Sequence, residues 1–294
     1  MLLASASLTE KLSDHPWPHC QVEVFGTTLT LMSSQLASMV LAALLLVAII
    51  VPAARRRQKV PTGGANALEV LVIFIRDMIA RPSLRDQGDR FLPFLLTLFT
   101  FILGMNLMGL LPLEPLTAII PGMPPIGGSA TSIPAVTGAL ALVTLLMIVV
   151  LGLAKTAQGY HDHKGWPLWL SAALSPILWV KKLAPHVEGV PGLIMVVPLT
   201  LLEVVGVVAR CFALMIRLFA NMLSGHMVLA VFMMFIVMTL EGQVKVLQLA
   251  LIGPVCIVFS VLLSLLELLV AGLQAYIFTF LTAIFLGLYI EPSH

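Results

Sequence analysis

The chain has 294 residues, of which 60% are hydrophobic and only 10% are charged, with a formal net charge of +2. A soluble domain carries roughly 25% charged residues, so this chain lacks the polar side chains needed to cover a water-exposed surface. The composition predicts an integral membrane protein, and the balanced charge gives no indication of a nucleic-acid partner. The sequence lacks the common nucleotide-binding and hydrolase motifs, so nucleotide chemistry within this chain is not expected.

The first 190 residues alternate between apolar stretches and polar connections, and about 20 apolar residues are needed for each crossing. We predict a polar extracytoplasmic leader at 1–35 without a cleaved signal, followed by a transmembrane helix at 36–53. A basic cytoplasmic segment at 54–90, which contains an interfacial amphipathic helix, leads to a second transmembrane helix at 91–113. A Pro/Gly extracytoplasmic loop at 114–133, a third transmembrane helix at 134–155 and a cytoplasmic loop at 156–190 complete this part of the chain.

Two longer apolar stretches follow, at 191–240 and 241–290, before a short tail at 291–294. A continuous helix of that length would measure roughly 70 Å, more than twice the thickness of the hydrocarbon layer. Each stretch is therefore either a pair of spans or one long, steeply tilted helix, and length alone does not decide between them.

The distribution of lysine and arginine predicts the orientation. With five crossings, one set of connections holds twelve basic residues and the other only two, and basic residues concentrate on the cytoplasmic side. This arrangement places the N-terminus outside and the C-terminus in the cytoplasm. The larger set is Arg55, Arg56, Arg57, Lys59, Arg76, Arg81, Arg85, Arg90, Lys155, Lys164, Lys181 and Lys182, and the smaller set is Lys11 and Lys245.

Apart from the turn near 241–245, four charged side chains lie within the last two apolar stretches, namely Glu203, Arg210, Arg217 and Glu267. A charge at the centre of a membrane helix costs about 2.5–3.5 kcal/mol. At 100° per residue, the first stretch places four polar groups within about 40° of one another on a single helix face. Glu267 shares a face of the second stretch with Gln274. The four grouped residues are Glu203, Arg210, Arg217 and Asn221.

Three functions are compatible with this polar face of the helix at 191–240. A buried Arg–Glu pair can be a structural tie, but basic, acidic and amide groups at several depths favour a hydrated ion path. A secondary transporter would show an inverted repeat with broken helices, and the two halves of the chain show no such repeat. A purely structural scaffold would leave the four intramembrane charges unexplained.

Several sequence motifs together indicate a family. The stretch FALMIRLFANM at 212–222, followed by SGH at 224–226, resembles the arginine signature of subunit a of F-type ATP synthases. NLMGLLP at 106–112 resembles the second-span motif of that family, VTGALAL at 136–142 the start of its third span, and LQAYIF at 273–278 its last helix. DHPWP at 14–18 resembles its leader.

The resemblance implies an all-α membrane fold of about five transmembrane helices and one interfacial helix, the last two forming a tilted hairpin against a rotor ring. It implies that Arg217 faces the carboxylates of the c-subunit ring and that Gln274 lies across from Arg217. His226 and Glu267 would form a polar pair in one half-channel, while Glu203, Arg210 and Asn221 would line the remaining proton path.

The same resemblance implies a non-catalytic subunit without a cofactor or a metal. Its partners would be the c ring, the peripheral-stalk b subunits, the lipid bilayer and, indirectly, the catalytic head. A bacterial plasma (inner) membrane fits best, and an organellar inner membrane second. His161 and His163 flank Asp162, but two such histidines in a basic loop are expected to be solvated.

The sequence departs from the family pattern at two places. Arg210 and Cys211 stand where relatives usually have Lys-Pro, so the basic character remains and a helix-breaking proline is lost. Near Ile133, a polar residue expected at the channel mouth is either missing or supplied by Thr131 or Ser132.

Overall fold

The computed structural model describes residues 21–24, 27–30, 34–55, 63–111, 117, 130–164, 174–175, 190–241 and 246–290. Most of the predicted leader, of the Pro/Gly loop and of the cytoplasmic loop after residue 164 lies outside the described residues. The turn at 242–245 and the tail at 291–294 lie outside them as well.

The described chain is almost entirely helical, which confirms the predicted all-α class. An antiparallel pair of short strands, β1 (Gln21–Val24) and β2 (Thr27–Thr30), adds a hairpin within the predicted leader. The helices are α1 (Ser34–Arg55), α2 (Gly64–Ile75), α3 (Arg81–Leu84), α4 (Gly88–Leu110), α5 (Pro134–Lys164), α6 (Val190–Glu241) and α7 (Val246–Ile290).

Four helices in the described part of the chain are long and apolar enough to cross a membrane. They cover Leu36–Arg55, Gly88–Leu110, Pro134–Gln158 and Gly253–Leu288. The fifth expected crossing falls on α6, whose described part carries Glu203, Arg210 and Arg217, and it stays a prediction.

Each of the two long apolar stretches forms one continuous helix, of 52 residues in α6 and 45 residues in α7. Pro198 and Pro254 lie inside these helices without ending them. A proline removes one backbone hydrogen bond but does not by itself terminate a membrane helix when neighbouring groups compensate. The tilt of the two helices stays a prediction.

The predicted interfacial segment is α2, which continues through a π-helical turn (Arg76–Ala80) into α3. Asp77 accepts hydrogen bonds from Arg76 at 3.1 Å and from Arg81 at 3.2 Å. A 3₁₀ turn (Arg85–Gln87) then leads into α4. These hydrogen bonds link the charged side chains at the surface of the protein, whereas Ile75 and Ile79 are buried.

The chain divides into two compact units. The first unit comprises Met1–Ile73, Leu96–Val136 and Leu218–Phe278, and the second comprises Phe74–Leu95, Thr137–Arg217 and Thr279–His294. Both α6 and α7 contribute residues to each unit, so the candidate functional residues fall into two groups that are described separately below.

A buried hydrogen-bond network joins three elements of the first unit. The Asn106 amide of α4 donates to the carbonyl oxygen of Ala271 in α7 at 3.3 Å, and the Thr131 hydroxyl donates to Asn106 Oδ1 at 2.9 Å. Asn106 and Thr131 are both fully buried. Since a buried amide without partners is costly, this network fixes the 3₁₀ turn (Ala130–Ser132) and α4 against α7.

Large apolar side chains are exposed along α6 and α7. Leu202 of α6 is 69% exposed and Leu269 of α7 is 65% exposed, and many neighbours resemble them. An apolar surface of this extent is too large for a water-soluble monomer, and it fits contact with lipid or with other membrane subunits.

Candidate functional site

Glu203, Arg210 and Arg217 belong to the second unit and lie along the same helix, α6. Arg217 is exposed, and its neighbours Phe212 and Ile216 are exposed by 56% and 44%. Within the part of the chain that the structure describes, no carboxylate lies within ion-pair distance of Arg217. A permanent charge thus stands on an apolar surface without an acidic partner among the residues that the structure describes.

The surroundings of Arg210 are different. Its Nη1 lies 3.4 Å from Glu203 Oε1, and its guanidinium carbon lies 5.9 Å from the centroid of the Phe285 ring. The side chains of both Arg210 and Glu203 are about one-third exposed, at 34% and 30%. The seven-residue spacing that places these groups on one face therefore also brings an acid and a base together.

The second group of predicted residues belongs to the first unit. His226 of α6 and Glu267 of α7 face each other, with Nδ1 and Oε1 separated by 3.7 Å. Glu267 is buried at 8% exposure, and both of its carboxyl oxygens lack a hydrogen-bond partner among the described residues. At this separation the two groups do not form a direct hydrogen bond, and a proton could pass between them after a small movement of the side chains or through one water molecule.

A cavity of about 190 Å³ adjoins this pair. A single water molecule needs only about 10–15 Å³ of the volume that is accessible to the centre of a water molecule, so the cavity has room for several water molecules. Asn221 and Ser224 contribute polar groups from α6, and Glu267 contributes its carboxylate from α7. The remaining wall is apolar apart from the backbone of Gly225, and it includes the exposed side chains of Val228 and Leu266.

Gly225 determines how closely α6 and α7 approach at the cavity. A Cβ atom added to Gly225 would lie 2.6 Å from Glu267 Oε1 and 2.9 Å from its carboxyl carbon. Those distances are far below van der Waals contact. The carboxylate of Glu267 therefore packs directly on the backbone of α6, beside His226, only because residue 225 has no side chain.

Gln274 is buried in the first unit at 5% exposure, and its Nε2 lacks a hydrogen-bond partner among the described residues. It lies seven residues after Glu267 on α7, as the sequence analysis noted. The expected pairing of Gln274 with Arg217 involves the two separate units and stays a prediction.

The structure therefore brings together Glu203 with Arg210, His226 with Glu267, and Asn221 with the cavity beside Glu267. The sequence reasoning did not single out Asn106, Ser224 or Phe285. Asn106 could have been found, because an amide within an apolar helix requires a buried partner. Thr131, considered for the channel mouth, is fully buried and donates to Asn106, whereas Ser132 is half-buried.

The amino-acid sequence is similar to those of known proteins. Residues 36–287 match the family described as ATP synthase A chain. The chain belongs to this family. It is 34% identical to "ATP synthase subunit a" of Chloroherpeton thalassium over 92% of this chain and 69% of that protein. It is 37% identical to the Myxococcus xanthus protein over 80% and 64%, and 34% identical to the Maricaulis maris protein over 92% and 93%.

Family membership makes the chain a transmembrane subunit of the membrane-embedded CF(0) part of an ATP synthase, a complex of ATP synthesis and hydrogen ion transport. This confirms the resemblance indicated by the segments FALMIRLFANM at 212–222 and LQAYIF at 273–278. Among the described residues, no group of three or more His, Cys, Asp or Glu side chains is arranged to hold a metal ion.

Proposed function

We propose that this chain is the proton-conducting stator subunit of an F-type ATP synthase. It provides two offset half-channels that couple proton translocation to rotation of the c-subunit ring and so to ATP synthesis. The observation that carries the proposal is Arg217, an exposed guanidinium on an apolar helix surface with no acidic partner among the described residues. Such a charge is stable only if another chain or water supplies the partner.

The chemistry of the ring explains why the partner would be a moving carboxylate. A protonated carboxyl group is neutral and can face lipid, whereas an ionised one cannot. Rotation past the stator then requires proton release on one side of the membrane and proton uptake from the other. Each charge that crosses contributes about 2.3 kcal/mol per 100 mV.

In this proposal Arg217 holds the ring carboxylate in its ionised form between the two half-channels and blocks direct proton leakage. Arginine suits the task because its guanidinium stays charged when buried, whereas a buried lysine readily loses its proton. In the same proposal the amide of Gln274 orients this carboxylate from α7.

One half-channel passes through the cavity beside Glu267. The carboxylate and His226, 3.7 Å apart, relay protons between that cavity and the ring. Asn221 and Ser224 supply hydrogen-bonding groups for water along the cavity wall. Glu203 and Arg210 line the path on the side of α6 nearer its N-terminus, which the distribution of basic residues assigns to the cytoplasm.

The partners follow from the same proposal. The c ring covers the exposed apolar face around Arg217, the b subunits of the peripheral stalk hold the chain against the torque, and the catalytic head is coupled indirectly. The chain lies in a bacterial inner membrane with its N-terminus outside and its C-terminus in the cytoplasm.

ATP-driven proton uptake into inverted membrane vesicles tests this function. We expect Arg217→Ala to abolish uptake while ATP hydrolysis by the attached head persists, because the ring loses the charge that couples rotation to proton movement. Parent and variant are compared at equal amounts of assembled complex. Uptake equal to that of the parent would show that Arg217 has no coupling role and would remove the proposal.

Two companion variants make the comparison specific. Arg217→Lys keeps a cation of similar length but loses the permanent planar charge, so uptake should fall well below the parent. Ile216→Ala changes an exposed neighbour on the same helix without altering charge and should retain most of the uptake.

A further inference from the structure

Two arginines share one face of α6, but the proposed function needs only one of them. Arg210 and Arg217 are seven residues apart, which is about 10 Å along a helix axis. At that separation two uncompensated cations in a low-dielectric surrounding would both attract a passing carboxylate. The surroundings of the two guanidinium groups therefore decide which one the ring encounters.

The side chain of Arg210 is directed away from Arg217. It leans toward the N-terminus of α6, the usual direction of helical side chains, with Nη2 3.8 Å from the position that a Cβ of Gly206 would take. Its Nη1 meets Glu203 Oε1 at 3.4 Å, and its guanidinium carbon lies 5.9 Å from the centroid of the Phe285 ring. The guanidinium therefore lies over Gly206, one turn of the helix before Arg210 and on the way to the acid.

In water, a partly exposed ion pair of this kind contributes about 0–1 kcal/mol. The pair in α6 is flanked instead by apolar side chains that are themselves exposed, such as Leu202 and Val208, at 69% and 53%. An unpaired charge on such a surface is expensive. Removing the acid alone would therefore take from Arg210 the carboxylate that offsets its charge and make it attract other carboxylates more strongly.

We propose, building on the rotary function proposed above, that Glu203 is the charge-compensating partner of Arg210. The pair keeps Arg210 from capturing the carboxylates of the c ring, so that Arg217 is the single uncompensated guanidinium on this face. Glu203 and Arg210 thus act as positioning residues for the encounter between the ring and Arg217. The aromatic ring of Phe285 adds a cation–π contact to the same guanidinium.

The test is a set of variants assayed for ATP-driven proton uptake and for ATP hydrolysis in the same vesicles. Glu203→Gln should slow both activities by roughly fivefold or more and in equal proportion, because the ring pauses at Arg210 but each step still moves protons. Glu203→Gln/Arg210→Gln should be clearly faster than Glu203→Gln, because polar amides still line the path but no cation at position 210 attracts the ring.

Two results would overturn the inference. If Glu203→Gln/Arg210→Gln is as slow as Glu203→Gln, the carboxylate acts on its own in the proton path. If Glu203→Gln loses uptake while hydrolysis stays at the parent rate, the defect is leakage rather than capture of the ring.

The amount of assembled complex, measured for every variant, identifies an effect on folding. Arg217→Ala in the same series tests the rotary function separately, because its failure to uncouple would remove that function whatever Glu203 does.

Discussion

At the scale of single residues, Gly225 shows how a missing side chain creates a site. The backbone of α6 lies so close to Glu267 that an added Cβ atom would stand 2.6 Å from Oε1. The carboxylate is buried at 8% exposure and lines the cavity, so an added methyl group would push it away from its place beside His226. The position of the acid beside His226 and the cavity thus depends on the glycine.

We therefore expect Gly225→Ala to displace the carboxylate of Glu267 and to lower proton uptake by roughly fivefold or more, since overpacking of this kind costs about 1–3 kcal/mol. Glu267→Asp shortens the side chain by one methylene group and should restore part of the uptake in the Gly225→Ala background. Gly253→Ala is the control, because no atom lies within 4 Å of a Cβ at that position. An unaffected Gly225→Ala variant would contradict the packing argument.

The relay itself is tested by the two side chains that form it. Glu267→Ala and His226→Ala should each reduce uptake strongly, because each removes one of the two groups, 3.7 Å apart, that we propose to pass a proton between them. Ser264→Ala removes a hydroxyl that bonds only to the backbone of its own helix and should have little effect. If Arg217→Ala stops uptake while both relay variants pump normally, protons do not pass through this pair.

The sequence names candidate residues for the site but does not predict the geometry of their contacts. Polar groups in apolar helices stand out by their cost, which is why Glu203, Arg210, Arg217 and Glu267 were identified without a structure. The contact of Arg210 with Phe285 could not be predicted, because it joins residues 75 positions apart and nothing in an aromatic side chain marks it as a partner for one cation. The closeness of Gly225 to Glu267 likewise depends on the register of two helices, which periodicity leaves uncertain by about two turns.

At the scale of elements, the end of α7 is fixed by a backbone contact in the second unit. A Cβ at Gly287 would collide with the carbonyl oxygen of Ser83 in α3, and the same Cβ would lie 3.8 Å from Leu84. A second close approach, between Gly88 and the carbonyl oxygen of Ala80, holds the turn before α4. Backbone atoms cannot rotate away as side chains can, so these contacts are rigid.

Gly287→Ala should accordingly destabilise the assembled subunit by about 1–3 kcal/mol, through displacement of α3 from α7. The measurement is the temperature at which the subunit leaves the detergent-solubilised complex. Gly64→Ala, at a helical position with no atom within 4 Å, should be neutral or slightly stabilising. Equal behaviour of the two variants would show that the contact between α3 and α7 contributes nothing to stability.

The sequence predicted the crossings from apolar length and left the folding of the two long stretches open. Proline and glycine at 198, 206 and 254 were possible break points, but the helices continue through all three. The π-helical turn at Arg76–Ala80 could not be predicted from the spacing of the apolar residues. A π-helical turn contains one extra residue, and this changes the spacing by less than its ordinary irregularity. The close approach between Gly287 and Ser83 joins distant segments and is equally invisible in sequence.

At the scale of the whole molecule, the number of crossings decides on which side of the membrane each functional group lies. An odd number of crossings places the termini on opposite sides, and an even number places them on the same side. Four described helices satisfy the length and composition of a span, and the predicted fifth is α6, which carries Arg217. The assignment of the N-terminal part of α6 to the cytoplasmic side depends on this count.

Native cysteines allow the count to be tested. Cys211 and Cys256 are buried, at 4% and 8% exposure, whereas Cys20 belongs to the predicted extracytoplasmic leader. With five crossings, a thiol reagent that cannot cross membranes should label Cys20 from outside intact cells, and Cys20→Ser should remove the signal. In the Cys20→Ser background, Ser293→Cys should react only in inverted vesicles. Labelling of both positions from the same side would require an even number of crossings and would reverse the side assigned to one end of the proton path.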